Sequence, residues 1–343
     1  MEQEIKLLQI VSTTLVVLLI CLLIYLIIRK AVENRQLERV KGRKKQLVLP
    51  VFEYLRDGKE ISETVNQSRI EKQAIEQVLT DFAERIEGEQ EEERLHELAV
   101  FYLKANYVKE MKARNWSKRM NVLYKIEAFH MREMERNVIN HLQYRKCTVE
   151  EKIQIYRILA VFQYEKIWTM MDEDKSLSEK NYRSILLRLK PEMFEEFIRP
   201  FYYCREELQL AILDVISMKK EVDYLVFLES IFEKYDGEIK LRALKAISSI
   251  GYVRNIEEYL FLTKSKKWQE RMMVAKLLGS YEEQHLYLLI TLLHDSSWWV
   301  RSQAAESIIN FKKGRAILLE IIKHSKDTFA QDMAREWLNK GVN

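Results

Sequence analysis

Glycine and proline are scarce in this chain: 8 and 3 among 343 residues. Strands are joined by tight turns built from these residues, so the shortage points away from a strand-rich fold and towards helices linked by short polar loops. There are only three cysteines. Cys21 lies in an apolar run, and Cys147 and Cys204 are far apart, with no CxxC pair and no Cys/His cluster. Zinc and redox motifs are therefore absent. Charge of one sign is lacking too. The 56 basic and 52 acidic side chains are interspersed and leave a formal +4, unlike the one-sided basic surface of a nucleic-acid protein. No nucleic-acid partner is expected.

Motifs for chemistry are also missing. There is no glycine-rich phosphate loop, no serine nucleophile elbow and no HExxH. His96 and Glu97 open the last pattern, but Val100 stands where the second histidine belongs. The six histidines are scattered without ligand spacing. Asp172, Asp174 and Ser176 begin like a calcium loop, yet Leu177 replaces the required glycine and Arg183 the bidentate glutamate. That segment reads as an acidic turn before a helix capped near Ser178. No catalytic group, cofactor or metal is expected.

One uncharged run stands out, Leu7 to Ile28, ending at Arg29 and Lys30. Its 22 residues make a helix about 33 Å long, enough to cross the hydrocarbon of a bilayer. It is too long for the apolar part of a signal peptide, and no small-x-small cleavage site follows. Lys6, beside Glu2 and Glu4, is the one basic residue before the run, whereas Arg29, Lys30, Arg35, Arg39, Lys41, Arg43, Lys44 and Lys45 follow it. Positive loops stay cytoplasmic, so the expected topology has a short N-terminus outside and the bulk of the chain in the cytoplasm, at the plasma (inner) membrane. In that reducing compartment a disulfide is unexpected. The basic stretch sets topology, and Arg29, Lys30, Lys41, Arg43, Lys44 and Lys45 can also contact anionic headgroups. Gln9, Ser12, Thr13 and Thr14 can bond a partner helix or their own backbone, and the second is expected.

Beyond the run, residues 31 to about 57 continue as a helix, with Pro50 a candidate bend and Asp57-Gly58 a break. Ser68 opens a helix through Ile86 whose apolar residues Ile70, Ala74, Ile75, Val78, Leu79, Phe82 and Ile86 share one face. The acids from Glu89 to Glu93 suit the first turn of the next helix. Further on the chain repeats itself. WSKRMNVL from Trp116 is similar to WQERMMVA from Trp268, and Leu241 to Gly251 is similar to the stretch from Val300. Arg242, Arg271 and Arg301 are 29 and 30 residues apart, and Gln331 follows 30 further on. Weaker copies place Gln209 and Lys152 at similar spacing, with another near Lys180. A period near 30 indicates a solenoid.

These residues resemble HEAT repeats of the short, bilin-lyase-like form, best preserved in LITLLHDSSWWVRSQAA from Leu289 to Ala305. The resemblance implies an all-α fold of antiparallel helix pairs that bury their apolar faces only by stacking. Small Ala211, Ala246, Ala275 and Ala304 would permit close packing. The expected organisation is an outer tail (1–6), a transmembrane helix (7–28), a basic juxtamembrane helix (29–57), a helical cap (58–115), degenerate repeats (116–205), and repeats with a C-terminal cap (206–343). The family bonds neighbouring turns through Asp and Arg, which implies a structural ladder of Asp236, Arg242, Arg271, Asp295 and Arg301. Asp236 and Asp295 each precede an arginine by six positions, while Arg271 and Arg119 lack that aspartate.

Tyr202 with Tyr203 and Trp298 with Trp299 are adjacent pairs, and neighbours cannot share one helix stripe. One of each pair is expected in the core and the other exposed, to touch a protein partner or to roof a neighbouring turn. The layout is similar to bacterial membrane-anchored HEAT proteins, which implies a non-catalytic scaffold for membrane-associated proteins, among them a glycosyltransferase or other machinery of envelope or exopolysaccharide synthesis. Two other classes stay open. One is an enzyme, since short HEAT repeats also occur in bilin lyases and in a DNA glycosylase fold; the other is a membrane signalling adaptor.

Overall fold

The computed structural model describes residues 2–59, 61, 68–144, 147–281 and 283–340, with side chains from residue 12 onward except that of residue 283. The bonding expected of Gln9 lies outside the described side chains. The described residues are all-helical, with 18 α-helices and no strand. They form two compact units, Met1–Phe162 and Gln163–Asn343.

The first unit begins with α1, Glu2–Asp57, a single helix of 56 residues that continues without a break past Pro50. It is one helix with two environments. Every apolar side chain from Leu15 to Ile28 is exposed, Leu19 at 67%. By length and composition α1 can cross a membrane. Further along, Val40, Leu47, Val51 and Leu55 are buried. Their spacing of seven, four and four draws one stripe on the helix, and that stripe packs on α2, Arg69–Ala83, and α3, Glu89–Glu110. Gly58 ends α1. Its φ of +71° suits glycine, and its N–H returns to the Tyr54 carbonyl at 2.8 Å.

Ser68 caps α2 by accepting from the Glu71 N–H. The helix stops at Ala83, three residues before the expected Ile86, and tightens there, the Arg85 N–H bonding the Phe82 carbonyl three residues back. Acidic Glu89, Glu91 and Glu92 occupy the first turn of α3. Then come α4, Trp116–Ala128, α5, Glu135–Leu142, and α6, Val149–Val161, with α6 packed on both α4 and α5. Thr148 and Glu151 close a reciprocal capping box at the start of α6.

The second unit holds twelve helices among its described residues. They are α7 (Ile167–Glu173), α8 (Glu179–Leu186), α9 (Pro191–Ile198), α10 (Glu206–Lys219), α11 (Leu225–Lys234) and α12 (Gly237–Ile250). They continue with α13 (Glu257–Leu260), α14 (Trp268–Leu278), α15 (Leu286–Leu293), α16 (Trp298–Ile309), α17 (Gly314–His324) and α18 (Thr328–Lys340). Each of α8, α10, α12, α14 and α16 packs on the next even-numbered helix, ending at α18. The intervening α11, α15 and α17 lie against the even helix that follows them. Ala211, Ala246, Ala275 and Ala304 have no exposed surface. Gly251, at φ +79°, ends α12 where a Cβ would come within 2.7 Å of Ser280 Oγ.

Candidate functional site

Three arginines make one repeated bond pattern. Arg119, Arg271 and Arg301 each direct Nη1 at the carbonyls six and five residues earlier. These are Ala113 and Arg114 at 2.9 and 3.2 Å, Ser265 and Lys266 at 2.7 and 3.3 Å, and Asp295 and Ser296 at 2.7 and 3.4 Å. The guanidinium clasps the turn that enters its own helix, where backbone carbonyls would otherwise need other donors. Gln331 does the same with one bond, to Ser325 O at 2.7 Å. The six-residue spacing of Asp295 and Arg301 is therefore a contact to the aspartate's backbone carbonyl.

The free edge of the guanidinium faces the next helix pair. Arg271 grips the Asp295 carboxylate through Nε and Nη2 at 2.6 and 2.8 Å. Arg119 holds Glu151 likewise, at 2.6 and 3.1 Å, with the two side chains 3% and 0% exposed. Arg301 has no carboxylate there among the described residues. The ring of Phe329 lies 5.2 Å from its Cζ, and its Nε is buried without a partner. Arg242 departs from the pattern. It bonds Asp214, Glu179 and Glu238, and no bond to the carboxylate of Asp236 is seen.

Sequence reading missed Glu151 and Asp214. Burial alone would raise the Glu151 carboxyl, but the bonds from Arg119, the Thr148 N–H and His141 hold it below the ordinary range. Asp214 is buried yet accepts from Arg183 at 2.8 Å, Lys245 at 3.0 Å and Arg242. Desolvation opposes its charge, and these three cations outweigh it, so its carboxyl also titrates low. The signals were present: Thr148-x-x-Glu151 is a capping-box spelling, and Asp214 is a lone acid within LQLAILDVI.

The chain also gathers a cluster that no spacing announced. Ligand atoms of His141, Cys147 and Glu151 lie within 4.8 Å of one another. Both oxygens of Glu151 already accept from the Arg119 guanidinium, and a divalent ion beside that cation would be repelled. Burial pushes the Cys147 thiol up to about 11, away from the thiolate that a metal needs. The donor set fits a structural ion pair. In the rejected calcium segment, Asp174 Oδ1 accepts from the N–H and hydroxyl of Ser176, closing its own turn.

For the aromatic pairs the expectation of one buried and one exposed member is corrected. All four are exposed: Tyr202 and Tyr203 at 45% and 93%, Trp298 and Trp299 at 45% and 57%. Neither pair lies in the interior of an α-helix. Tyr202 and Tyr203 sit in a 3-10 turn whose core residue is Phe201. Trp298 and Trp299 form the first turn of α16, ahead of the buried stripe that starts at Val300. Trp299 stacks on Trp268 of α14, rings 6.2 Å apart, and Trp298 meets Trp299 edge-on at 4.9 Å. With Phe329, 66% exposed in the first turn of α18, they make an aromatic edge along the starts of three successive even helices. Exposed Lys266, Lys267 and Lys326 flank it.

The basic stretch divides. Arg29, Lys30, Lys41 and Lys45 are exposed on α1. Arg43 instead bonds Glu71 of α2 at 2.7 Å, and Lys44 bonds Asp81 at 2.6 Å, so both serve the packing of the first unit. Lys41 to Lys45 also lie about 20–25 Å along the helix beyond Ile28, well past a Debye length of about 8 Å.

A polar groove of about 910 Å³ opens in the first unit between α1, α2, α3 and α4. Among the described residues Leu103 and Val122 are its only apolar lining. Lys125 Nζ of α4 reaches Thr80 Oγ1 of α2 across it at 2.7 Å.

No family model matches this chain, and no curated protein does. Among solved structures it is similar to the crystal structure of an engineered protein, at 12% identity and a TM-score of 0.39, over 85% of this chain and 87% of that one.

Proposed function

We propose that this protein is a single-pass, membrane-anchored helical scaffold of the HEAT-repeat kind, a solenoid with its bulk in the cytoplasm, that binds protein partners and catalyses nothing itself. The observation that carries the reading is the split personality of α1. Leu15 to Ile28 present apolar surface on every side, while Val40, Leu47, Val51 and Leu55 of the same helix are core. At about 25 cal/mol per Å², so much exposed apolar surface is untenable in water and favourable in lipid. The basic residues from Arg29 onward orient it. The aromatic edge at Trp268, Trp298, Trp299 and Phe329 supports protein binding, because aromatic side chains are enriched at protein interfaces and tryptophan at their hot spots.

Its partners are then proteins of the same membrane, and the envelope-synthesis machinery is the first class to look for. A reporter fused after Asn343 tests the anchor. A reporter that works only in the cytoplasm should be active, with the fusion resisting carbonate extraction. Activity of an exported reporter at that position would overturn the orientation, and release by carbonate would overturn the span.

A further inference from the structure

We propose that the groove between α1, α2, α3 and α4 binds a phosphorylated sugar or polyol. The inference starts from the charges that the fold leaves over. Among the groove's acids, Asp81 is taken by Lys44 at 2.6 Å. Glu76 accepts from the buried Tyr107 hydroxyl at 2.6 Å, and burial holds its carboxyl above the ordinary value. Glu110 accepts from Asn106 at 3.1 Å. Among the described residues, Arg69, Lys72 and Lys118 make no ion pair, although all three line the same groove. Two helices thus bring three cations without an ion pair to the lining of one polar hollow, which also holds the Glu110 carboxylate. An arginine fork with two ammonium groups suits a phosphate.

The rest of the lining says what accompanies the phosphate. The volume of about 910 Å³ is several times that of an inorganic ion and lies in the range of small-molecule sites. Gln77 and Asn121 offer both donors and acceptors, which a phosphate alone does not use and hydroxyl groups do. Among the described residues no aromatic side chain lines the groove, so a nucleotide base has nothing there to stack on. A free sugar phosphate and a phosphoinositol-type lipid headgroup share this chemistry. Lys44 at the groove's edge lies about 24 Å along α1 from Ile28. If α1 is anchored as proposed, that distance favours the free form; the ligand class itself does not depend on the anchor.

The test uses the full-length protein in phosphatidylcholine nanodiscs and isothermal titration calorimetry. Glucose 1-phosphate and inositol 1-phosphate are the probes, with glucose and inorganic phosphate as controls. At least one probe should bind one-to-one, about tenfold more tightly than either control, and the double variant Arg69→Gln/Lys118→Gln should lose about tenfold or more. Lys45→Gln, an exposed cation outside the groove, should leave binding unchanged. Competition by phosphatidylinositol in the nanodisc assigns the ligand to a headgroup, and its failure to compete assigns a soluble one. Saturation by inorganic phosphate as tight as by either probe would mean a non-selective anion patch and overturn the proposal. So would no binding of either probe at millimolar concentration, or binding indifferent to the double variant. None of these outcomes bears on partner binding at the aromatic edge.

Discussion

Arg119→Met should cost the first unit about 3–5 kcal/mol, because it leaves Glu151 buried as an uncompensated charge. Arg119 is the largest single support of that carboxylate. It supplies two of its bonds while clasping the turn at Ala113 and Arg114. The chain has two units and a long apolar helix, so a single melting temperature is not a clean measure. Hydrogen exchange of the full-length protein is: the most protected amides of α4 and α6 should exchange about two to four orders of magnitude faster. The effect carries a pH signature. Glu151 has a folded pKa below its ordinary value of 4.5. Its contribution is therefore fully present above that value and is lost as the pH falls through the depressed folded one. The gap between wild type and variant should be widest at neutral pH and should narrow on acidification below about 4.5. A gap that stays constant with pH, or unchanged protection, would remove the ion pair from the account.

Asp214→Ala should cost the second unit less, about 1–3 kcal/mol, for the opposite reason. It strips the anion from Arg183, Arg242 and Lys245 and leaves three cations against one another, with Glu179 and Glu238 the remaining acids bonded to Arg242. The amides of α10 and α12 should lose protection. Sulfate, which can sit among the three cations, should restore part of it, while chloride at equal ionic strength should not. Asp214→Asn keeps the shape and some of the bonds, so it should fall between. If all three proteins exchange alike, Asp214 is a bystander and the row from α8 to α12 is held by its apolar contacts alone.

These two acids mark where the sequence stops being readable. The helices are legible because glycine and proline are few and the apolar residues recur at helical spacing, as in Ile75, Val78 and Leu79. The arginine register is legible for the same reason, since Arg119, Arg271 and Arg301 occupy equivalent places and make the same bond to their own turns. Their acidic partners are not. Glu151 lies 32 residues after Arg119 and Asp295 lies 24 after Arg271, so no constant spacing identifies them. The nearer Asp295 six residues before Arg301 draws attention to its side chain when its carbonyl is what Arg301 holds. Trp298 and Trp299 were misread because periodicity says nothing about a first helical turn, where neither neighbour has yet entered the buried stripe. The groove has no sequence signature at all. Its cations come from separate helices and meet only when α2 and α4 flank α3.

The central claim is an anchored array whose aromatic edge holds a protein partner. A photo-crosslinking amino acid at position 299 of the full-length chain, activated in native membranes, tests it most directly, with position 319, an exposed leucine on α17, as the comparison. The account predicts a discrete protein adduct from 299 and none from 319. The adduct should fade when residues 1–28 are deleted while α16 keeps its hydrogen-exchange protection, because the anchor supplies effective concentration and not structure. Lipid adducts alone, identical adducts from both positions, or no adduct at 299 in the anchored protein would contradict it.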